Sequence, residues 1–376
     1  MKCMTTPRSI DLLITARCNL RCKYCSHFTS GGDVERDLAI DEWLLFFEEL
    51  NRCAVMEVCL QGGEPFCRND LRELIQGIVR NRMRFSILTN GTLITDEMAA
   101  FISSTGRCNS VQVSIDGSTD TTHDVFRGKG SFRRAVEGLK ILLRHNIPAT
   151  VRVTIHRRNL TDLAAVARFL LEDMELPGFS TNSASHLGLC RNNAGQVQLT
   201  SEERSVAMKE LLDLTRTYNG RISAEAGPLA EARTWLEMET ARIHGVGRLP
   251  ERGFLTGCNG PMETIAVRAD GVVVVCSQLP DMELGRINRD DLKEIWRNHP
   301  TLYRFRARNE VPVTDFEFCR ECQYVDYCTG GCPALAHAIL NNAWHPSPAG
   351  CLRAFLESGG VLPQGEIVSP SFLNAC

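Results

Sequence analysis

The apolar positions of this chain fall into short dense runs separated by longer stretches that are apolar on one face. Residues 9–15 hold Ile10, Leu12, Leu13 and Ile14, a run that suits a strand buried on both faces. Over 40–51 the apolar residues Trp43, Phe46, Phe47 and Leu50 recur at helical spacing, which predicts an amphipathic helix. The two patterns then alternate, with strands predicted at 55–61, 84–89, 110–116, 149–155 and 178–183, and helices at 70–80, 96–103, 131–144, 162–174 and 201–218. Six strands and six helices in strict alternation predict an α/β fold with a parallel sheet and crossover helices. Six units suggest a partial (β/α)6 barrel.

The pattern changes after that. Residues 227–244 form a long amphipathic segment with Leu229, Trp235, Leu236 and Met238, followed by Gly245, Gly247, Pro250, Gly253 and Gly257, a density of breakers that reads as a linker. Beyond it, 264–268 and 272–275 flank Ala269-Asp270-Gly271 as a small β-hairpin. The expected organisation is a barrel over 1–226, a bridging helix and linker over 227–257, and a cysteine-rich domain with a hairpin and short helices over 258–376.

Composition narrows the class. With 43% hydrophobic and 23% charged residues the chain is an ordinary globular protein, and a net charge of −3 without a basic stripe argues against nucleic-acid binding. Arginines around 80–84 read as solvated helix ends. Asp11 interrupts the one candidate signal peptide and no apolar run is long enough to span a bilayer, so neither secretion nor a membrane is indicated and the cytoplasm is expected. There, 17 cysteines argue for metal or redox chemistry, because disulfides do not persist under reducing conditions.

Three of them, Cys18, Cys22 and Cys25, lie within eight residues at the C-terminal end of the first strand, the end where parallel α/β folds do their chemistry. Three soft thiolates suit an iron-sulfur cluster, each binding one iron of a cubane and leaving the fourth iron open. A structural zinc would want a fourth protein ligand. The second strand ends in Gly62-Gly63-Glu64-Pro65, where two glycines allow close backbone approach to a ligand and a carboxylate can accept from an ammonium, though such a turn also serves as a tight connection. Ser114-Ile115-Asp116-Gly117 places a hydroxyl and a carboxylate at the top of the fourth strand, fit either for ribose hydroxyls or for a capped turn. A second field follows: Cys258, Cys276, Cys319-x2-Cys322-x5-Cys328-x3-Cys332 and Cys351. By itself the Cys319/Cys322 pair also fits a zinc ribbon. Cys53, Cys59 and Cys108 lie among apolar residues and read as small core side chains, and Cys3, Cys67, Cys190 and Cys376 receive no role.

The Cys-x3-Cys-x2-Cys spacing, with Tyr24 before the last cysteine, resembles the signature of radical S-adenosylmethionine (SAM) enzymes. The resemblance implies that the open iron chelates the amino and carboxylate groups of SAM, whose reductive cleavage yields a 5′-deoxyadenosyl radical. It also implies that Gly62, Gly63 and Glu64 contact the methionine amino group, that Ser114 contacts the ribose, and that Arg127, in His123-Asp124-Val125-Phe126-Arg127-Gly128, holds the SAM carboxylate. Asn90-Gly91-Thr92 is similar to a family segment and also fits a simple turn. The seven later cysteines resemble the SPASM extension, which implies two auxiliary four-iron clusters: Cys258, Cys276 and Cys332 on the first, and Cys319, Cys322, Cys328 and Cys351 on the second. Fully ligated members have an eighth cysteine shortly before the first of these; residues 191–257 contain none, so an open iron is expected on the first auxiliary cluster. Sulfatase-maturing members carry an aspartate after the cysteine matching Cys276, and here Ser277 stands, which cannot act as a carboxylate base at neutral pH.

Residues 37–51, 61–66 and Phe179-Ser180-Thr181-Asn182-Ser183-Ala184-Ser185 look most like the subgroup named for the SynChlorMet cassette. That implies modification of a side chain in a ribosomally made precursor peptide, with an electron donor such as flavodoxin or ferredoxin. Because the barrel starts almost at once, no N-terminal winged-helix module is expected, and leader binding would fall to a separate recognition protein or the barrel's open side. A sulfatase-type maturase, a small-molecule oxidase and a non-catalytic iron-sulfur electron carrier are the alternatives; the intact cysteine loop and Gly62-Gly63-Glu64 favour an enzyme.

Overall fold

The structure, a computed structural model, describes residues 4–28 and 36–364, so Cys3 and Cys376 lie outside the described residues. In chain order the elements are β1 (Ser9–Thr15), α1 (Ile40–Arg52), β2 (Glu57–Gly62), α2 (Leu71–Arg80), β3 (Arg84–Thr89), α3 (Asp96–Ser104), β4 (Cys108–Ser114), α4 (Asp120–Arg127), α5 (Ser131–Arg144), β5 (Ala149–Ile155) and α6 (Leu163–Arg168). They continue with β6 (Phe179–Ser183), α7 (Gly188–Asn192), α8 (Ala194–Val197), α9 (Ser201–Thr217), β7 (Ile222–Ala224), α10 (Pro228–Ile243), α11 (Gly260–Glu263), β8 (Thr264–Val267), β9 (Val272–Val274) and β10 (Glu283–Arg286). Last come α12 (Leu292–Asn298), α13 (Pro300–Ala307), α14 (Glu317–Arg320), α15 (Pro333–Leu340) and α16 (Leu352–Glu357). No helix among the described residues is long and apolar enough to cross a membrane.

The chain divides into two compact units. The first comprises Met1–Ile115, Thr119–Arg152 and Asn259–Arg306. Its sheet has β1 to β4 and the start of β5 side by side and parallel, with pairs such as Leu12↔Leu60, Val58↔Phe85, Ile87↔Val111 and Val113↔Val151. The inward positions Ile10, Leu12, Ile14, Val58, Leu60, Phe85 and Ile87 are all fully buried, which is why each strand pairs in one register and no other. On its other side β1 pairs, again parallel, with β8 through Ser9↔Thr264 to Leu12↔Val267. Antiparallel β9 and β10 complete that flank.

The second unit comprises Asp116–Ser118, Val153–Cys258 and Ala307–Cys376. It holds the parallel pair β6 and β7 and a core in which Met208 of α9 and Trp235 and Met238 of α10 pack with Tyr324, Tyr327, Leu352 and Phe355. The glycine-rich stretch 245–257 has no helix or strand, as its breakers require, yet it is pinned by backbone bonds from Gly253 to Cys328 and from Gly257 to Thr329.

Three local differences from the expected elements have physical causes. The helix expected over 162–174 is α through Arg168 and then one widened π turn, Phe169–Asp173, where neighbouring Leu170 and Leu171 are both buried. Helix α4 occupies a stretch where no element is predicted, because its polar sequence hides a buried face of His123, Phe126 and Arg127. The strands β7 and β10 have three and four residues, too short for an apolar period to reveal.

Candidate functional site

The loop that leaves β1 is held from both sides. Asp37 accepts from the Thr15 hydroxyl (2.6 Å), the Ala16 amide (2.8 Å) and Arg17 Nε (3.0 Å), fixing the loop's start. Buried Arg68 donates to the carbonyl of Ile14 (2.7 Å) and pairs with Asp70 (2.7 Å). Within the loop the Leu20 amide points at Cys18 Sγ (3.4 Å), and Cys25 N donates to the Cys22 carbonyl (3.1 Å). Lys23 N donates to the Phe126 carbonyl (3.0 Å), and Tyr24 meets the Phe126 ring edge-on, so α4 clamps the middle of the loop.

Gly62 and Gly63 let the turn approach the backbone of the cysteine loop closely. A Cβ on Gly63 would lie 2.2 Å from the Arg17 carbonyl oxygen, and one on Gly62, whose φ is +124°, 2.4 Å from that of Thr15. The space a side chain would need is filled by the backbone entering the cysteine loop. Gly63 N donates to Thr15 O and Glu64 N to Arg17 O, both at 2.8 Å, which locks the Gly-Gly-Glu turn onto that loop.

Glu64 is fully buried, and its carboxylate accepts from the Thr89 hydroxyl (2.7 Å), the Asn90 amide (2.7 Å) and the Phe66 amide (3.2 Å). Burial pushes its carboxyl up to about 7, against those three donors and the charge of Arg127. The side chain thus ties β2 to β3, and the turn's backbone is what remains to face a ligand. Asn90 carries the tie onward, donating to Asn19 (2.9 Å) with the same amide nitrogen 3.9 Å from Cys18 Sγ. Asn19 in turn donates to Thr92 (2.8 Å). Asn90-Gly91-Thr92 is therefore more than a turn.

Arg127, 7% exposed, lies with its guanidinium 5.4 Å from the Tyr24 ring centre, and its charge acts on both Cys25 and Glu64. A buried cation beside the cysteine loop suits a carboxylate ligand. Ser114 ends β4 half-buried, opposite Arg152. Asp116 is fully buried and accepts from the Thr154 amide (2.9 Å).

Burial pushes the Cys18 thiol up to about 11 and raises Cys25, as it also raises Cys59, Cys108 and Cys190. In the second unit burial, helped by the charges of Cys328, Cys351 and Cys322, pushes Cys319 up to about 11, which brings those four sulfurs into one neighbourhood. Gly330 N points at Cys328 Sγ (3.3 Å) and Ala354 N at Cys351 Sγ (3.4 Å). Such amide-to-sulfur contacts stabilise anionic sulfur and tune clusters. Cys258 and Cys332 belong to this unit as well, and their charges act on Arg308. Cys276 belongs to the first unit, where the Gln278 amide points at its sulfur (3.5 Å). Among the described residues no three His, Cys, Asp or Glu side chains converge on a single ion. The candidate donor set, made of thiols alone, is of the kind that iron-sulfur clusters take. Cys53 and Cys190 are buried, Cys59 and Cys108 half-buried, in keeping with small core side chains.

Comparison with known proteins agrees with this chemistry. Residues 12–170 match the radical SAM superfamily, and residues 258–323 match SPASM, an iron-sulfur cluster-binding domain. The chain is 28% identical over 355 residues to Fe-coproporphyrin III synthase of Methanosarcina barkeri, covering 89% of this chain and 86% of that one. It is 24% identical over 365 residues to PqqA peptide cyclase of Bradyrhizobium diazoefficiens, covering 96% and 90%. Its fold resembles that of Streptococcus suis SuiB, solved with its precursor peptide SuiA, with a TM-score of 0.70 at 14% identity over 93% of this chain and 77% of that one. The two matched domains imply four-iron clusters and SAM as cofactors. The chain thus carries a radical SAM domain and a SPASM domain, on an α/β partial barrel with a cysteine-rich C-terminal region.

Proposed function

We propose that this protein is a cytoplasmic radical SAM/SPASM enzyme that modifies a side chain of a ribosomally made peptide. The observation that carries the reading is the docking of the Cys18-Cys22-Cys25 loop onto the Gly62-Gly63-Glu64 turn, with Asn90 and Arg127 closing it from β3 and α4. Cys18, Cys22 and Cys25 would hold the first cluster; Cys258, Cys276 and Cys332 the first auxiliary cluster, with an open iron; and Cys319, Cys322, Cys328 and Cys351 the second. When bound, the first cluster would pass one electron from the external donor to the sulfonium of SAM, whose S–C5′ bond would break to give methionine and a 5′-deoxyadenosyl radical.

The chain's own residues orient that reaction. The backbone carbonyls of the Gly62-Gly63-Glu64 turn accept from the methionine ammonium, Arg127 holds its carboxylate, and Ser114 offers a hydroxyl to the ribose. Glu64 takes no part by its side chain; held by Thr89 and Asn90, it fixes where those carbonyls point.

The similarity to PqqA peptide cyclase and the SynChlorMet-like stretches support a peptide substrate, with a ferredoxin or flavodoxin as electron donor and a separate protein for leader recognition. A second reading, side-chain chemistry on a tetrapyrrole, is favoured by the higher identity to Fe-coproporphyrin III synthase. Anaerobically reconstituted protein, given SAM and dithionite, separates them. The peptide reading expects 5′-deoxyadenosine together with a mass change in a short peptide encoded beside this gene. Formation of Fe-coproporphyrin III from a supplied tetrapyrrole precursor in place of that change supports the second reading, and no 5′-deoxyadenosine from fully loaded protein overturns both.

A further inference from the structure

Helix α9 sends Arg204 into the core of the second unit, where its guanidinium lies 4.7 Å from the Trp235 ring centre and 5.5 Å from that of Phe355. The two ring centres are themselves 4.8 Å apart. Arg204 Nε donates to Glu231 of α10 (2.6 Å), and Nη2 donates to the Ala349 carbonyl (3.0 Å). The side chain is 21% exposed, so both polar contacts are largely sheltered from water. Two of these partners bracket Cys351, Ala349 before it and Phe355 after it on α16. The Phe355 amide donates to the Cys351 carbonyl (3.0 Å), so the ring and the cysteine move together. On the other side, His345-Pro346-Ser347-Pro348-Ala349-Gly350 has no Leu, Ile, Val, Met or Phe to seat it. Its course is set by polar contacts, from the Ser347 amide to the Gly330 carbonyl (2.7 Å) and from Arg204 to Ala349. Cys322 and Cys328 pack against the same core on tethers of their own. The Tyr324 hydroxyl donates to Glu239 of α10 (2.9 Å) and the Tyr327 hydroxyl to the Val246 carbonyl (2.6 Å).

We propose that Arg204 is a positioning residue for the second auxiliary cluster, fixing Cys351 at the spacing that lets its sulfur complete the set begun by Cys322 and Cys328. The proposal rests on the reading above that these cysteines are ligands there. Arginine suits the task because its planar fork can bond a carboxylate on one edge and a carbonyl on another while its face lies over aromatic rings. Removing the guanidinium deprives Glu231 and Ala349 of the donor between them and frees the approach to Cys351. Cys322 and Cys328 keep their tyrosine tethers, so the change falls on one ligand of the set.

The test uses the full chain, reconstituted anaerobically with iron and sulfide, and reads iron content, the electron paramagnetic resonance of each reduced cluster, and thermal melting. Arg204→Met keeps a stem against the rings and drops both polar contacts; Arg204→Lys keeps the charge yet cannot span Glu231 and Ala349 together. The expected result is that Arg204→Met loses the resonance of one cluster, the same one that Cys351→Ala loses, and keeps the others. Arg204→Lys should show the same selective loss to a lesser degree. Wild-type iron content and spectra in Arg204→Met overturn the proposal. So does a loss that falls on another cluster or spreads evenly over all of them, which is what a merely structural role produces. If Arg204→Met does not fold, Arg204→Lys decides: a loss confined to that cluster supports the proposal, and wild-type spectra or an even loss overturn it. Should Cys351→Ala leave iron content and every resonance whole, the ligand reading falls and the proposal with it. Should Cys351→Ala remove a cluster that both arginine variants keep, the proposal alone is overturned.

Discussion

The Thr89 hydroxyl donates to Glu64 Oε1 over 2.7 Å, at a carboxylate wholly removed from solvent. Two strand ends are joined there by a group that a sequence reading would hand to the ligand. Thr89→Val leaves the carboxylate with one donor fewer in a place where water cannot substitute. Urea unfolding of the variant should show a loss of about 1–3 kcal/mol.

Gly63→Ala should disturb the cysteine loop more than the turn that carries it. The new methyl would stand 2.2 Å from a backbone oxygen, which has no flexible end to move aside. We expect the radical SAM cluster to load poorly, with iron content falling by about a third, and stability to drop by about 1–3 kcal/mol. A variant that binds iron fully and melts like the wild type would contradict the packing described for Arg17.

Arg127→Leu should weaken SAM binding by about 10- to 100-fold, the worth of a charge-assisted pair with a carboxylate. Calorimetric titration of the loaded protein with SAM measures it. Arg127→Lys should restore little, since a point charge on a thinner stem does not reproduce the planar group over Tyr24.

Asp11 gives a pH dependence of stability. Burial pushes its carboxyl up to about 6 from 3.8, with Gln61 opposing. A carboxyl raised in the folded state favours the protonated native form, so its cost is absent below about pH 4, grows through the window between the two values and is complete above about pH 6. Asp11→Asn should therefore match the wild type at low pH and exceed it by about 2 kcal/mol at pH 7 in denaturant unfolding. A constant difference across that window would show that the carboxyl does not titrate as described.

Much of this was legible in the chain. The apolar runs found β1, β3 and β5 at their true limits because each carries inward residues that tolerate no slip, and the cysteine spacings carried the candidate metal chemistry. Polar residues that act through tertiary contacts left no such trace. Asp37 and Arg68 have no periodicity that ties them to the cysteine loop, and their partners there lie 20 to 54 positions away along the sequence. The engagement of Glu64 by Thr89 and Asn90 was hidden for the same reason, since a carboxylate reads alike whether it faces a ligand or a neighbouring strand.

Strand β1 is flanked on one side by β8, whose residues enter the chain about 250 positions later. During synthesis on the ribosome, that flank of β1 stays an unpaired edge until residue 267 has emerged. Until then the cysteine loop leaves a strand that β2 alone can pair.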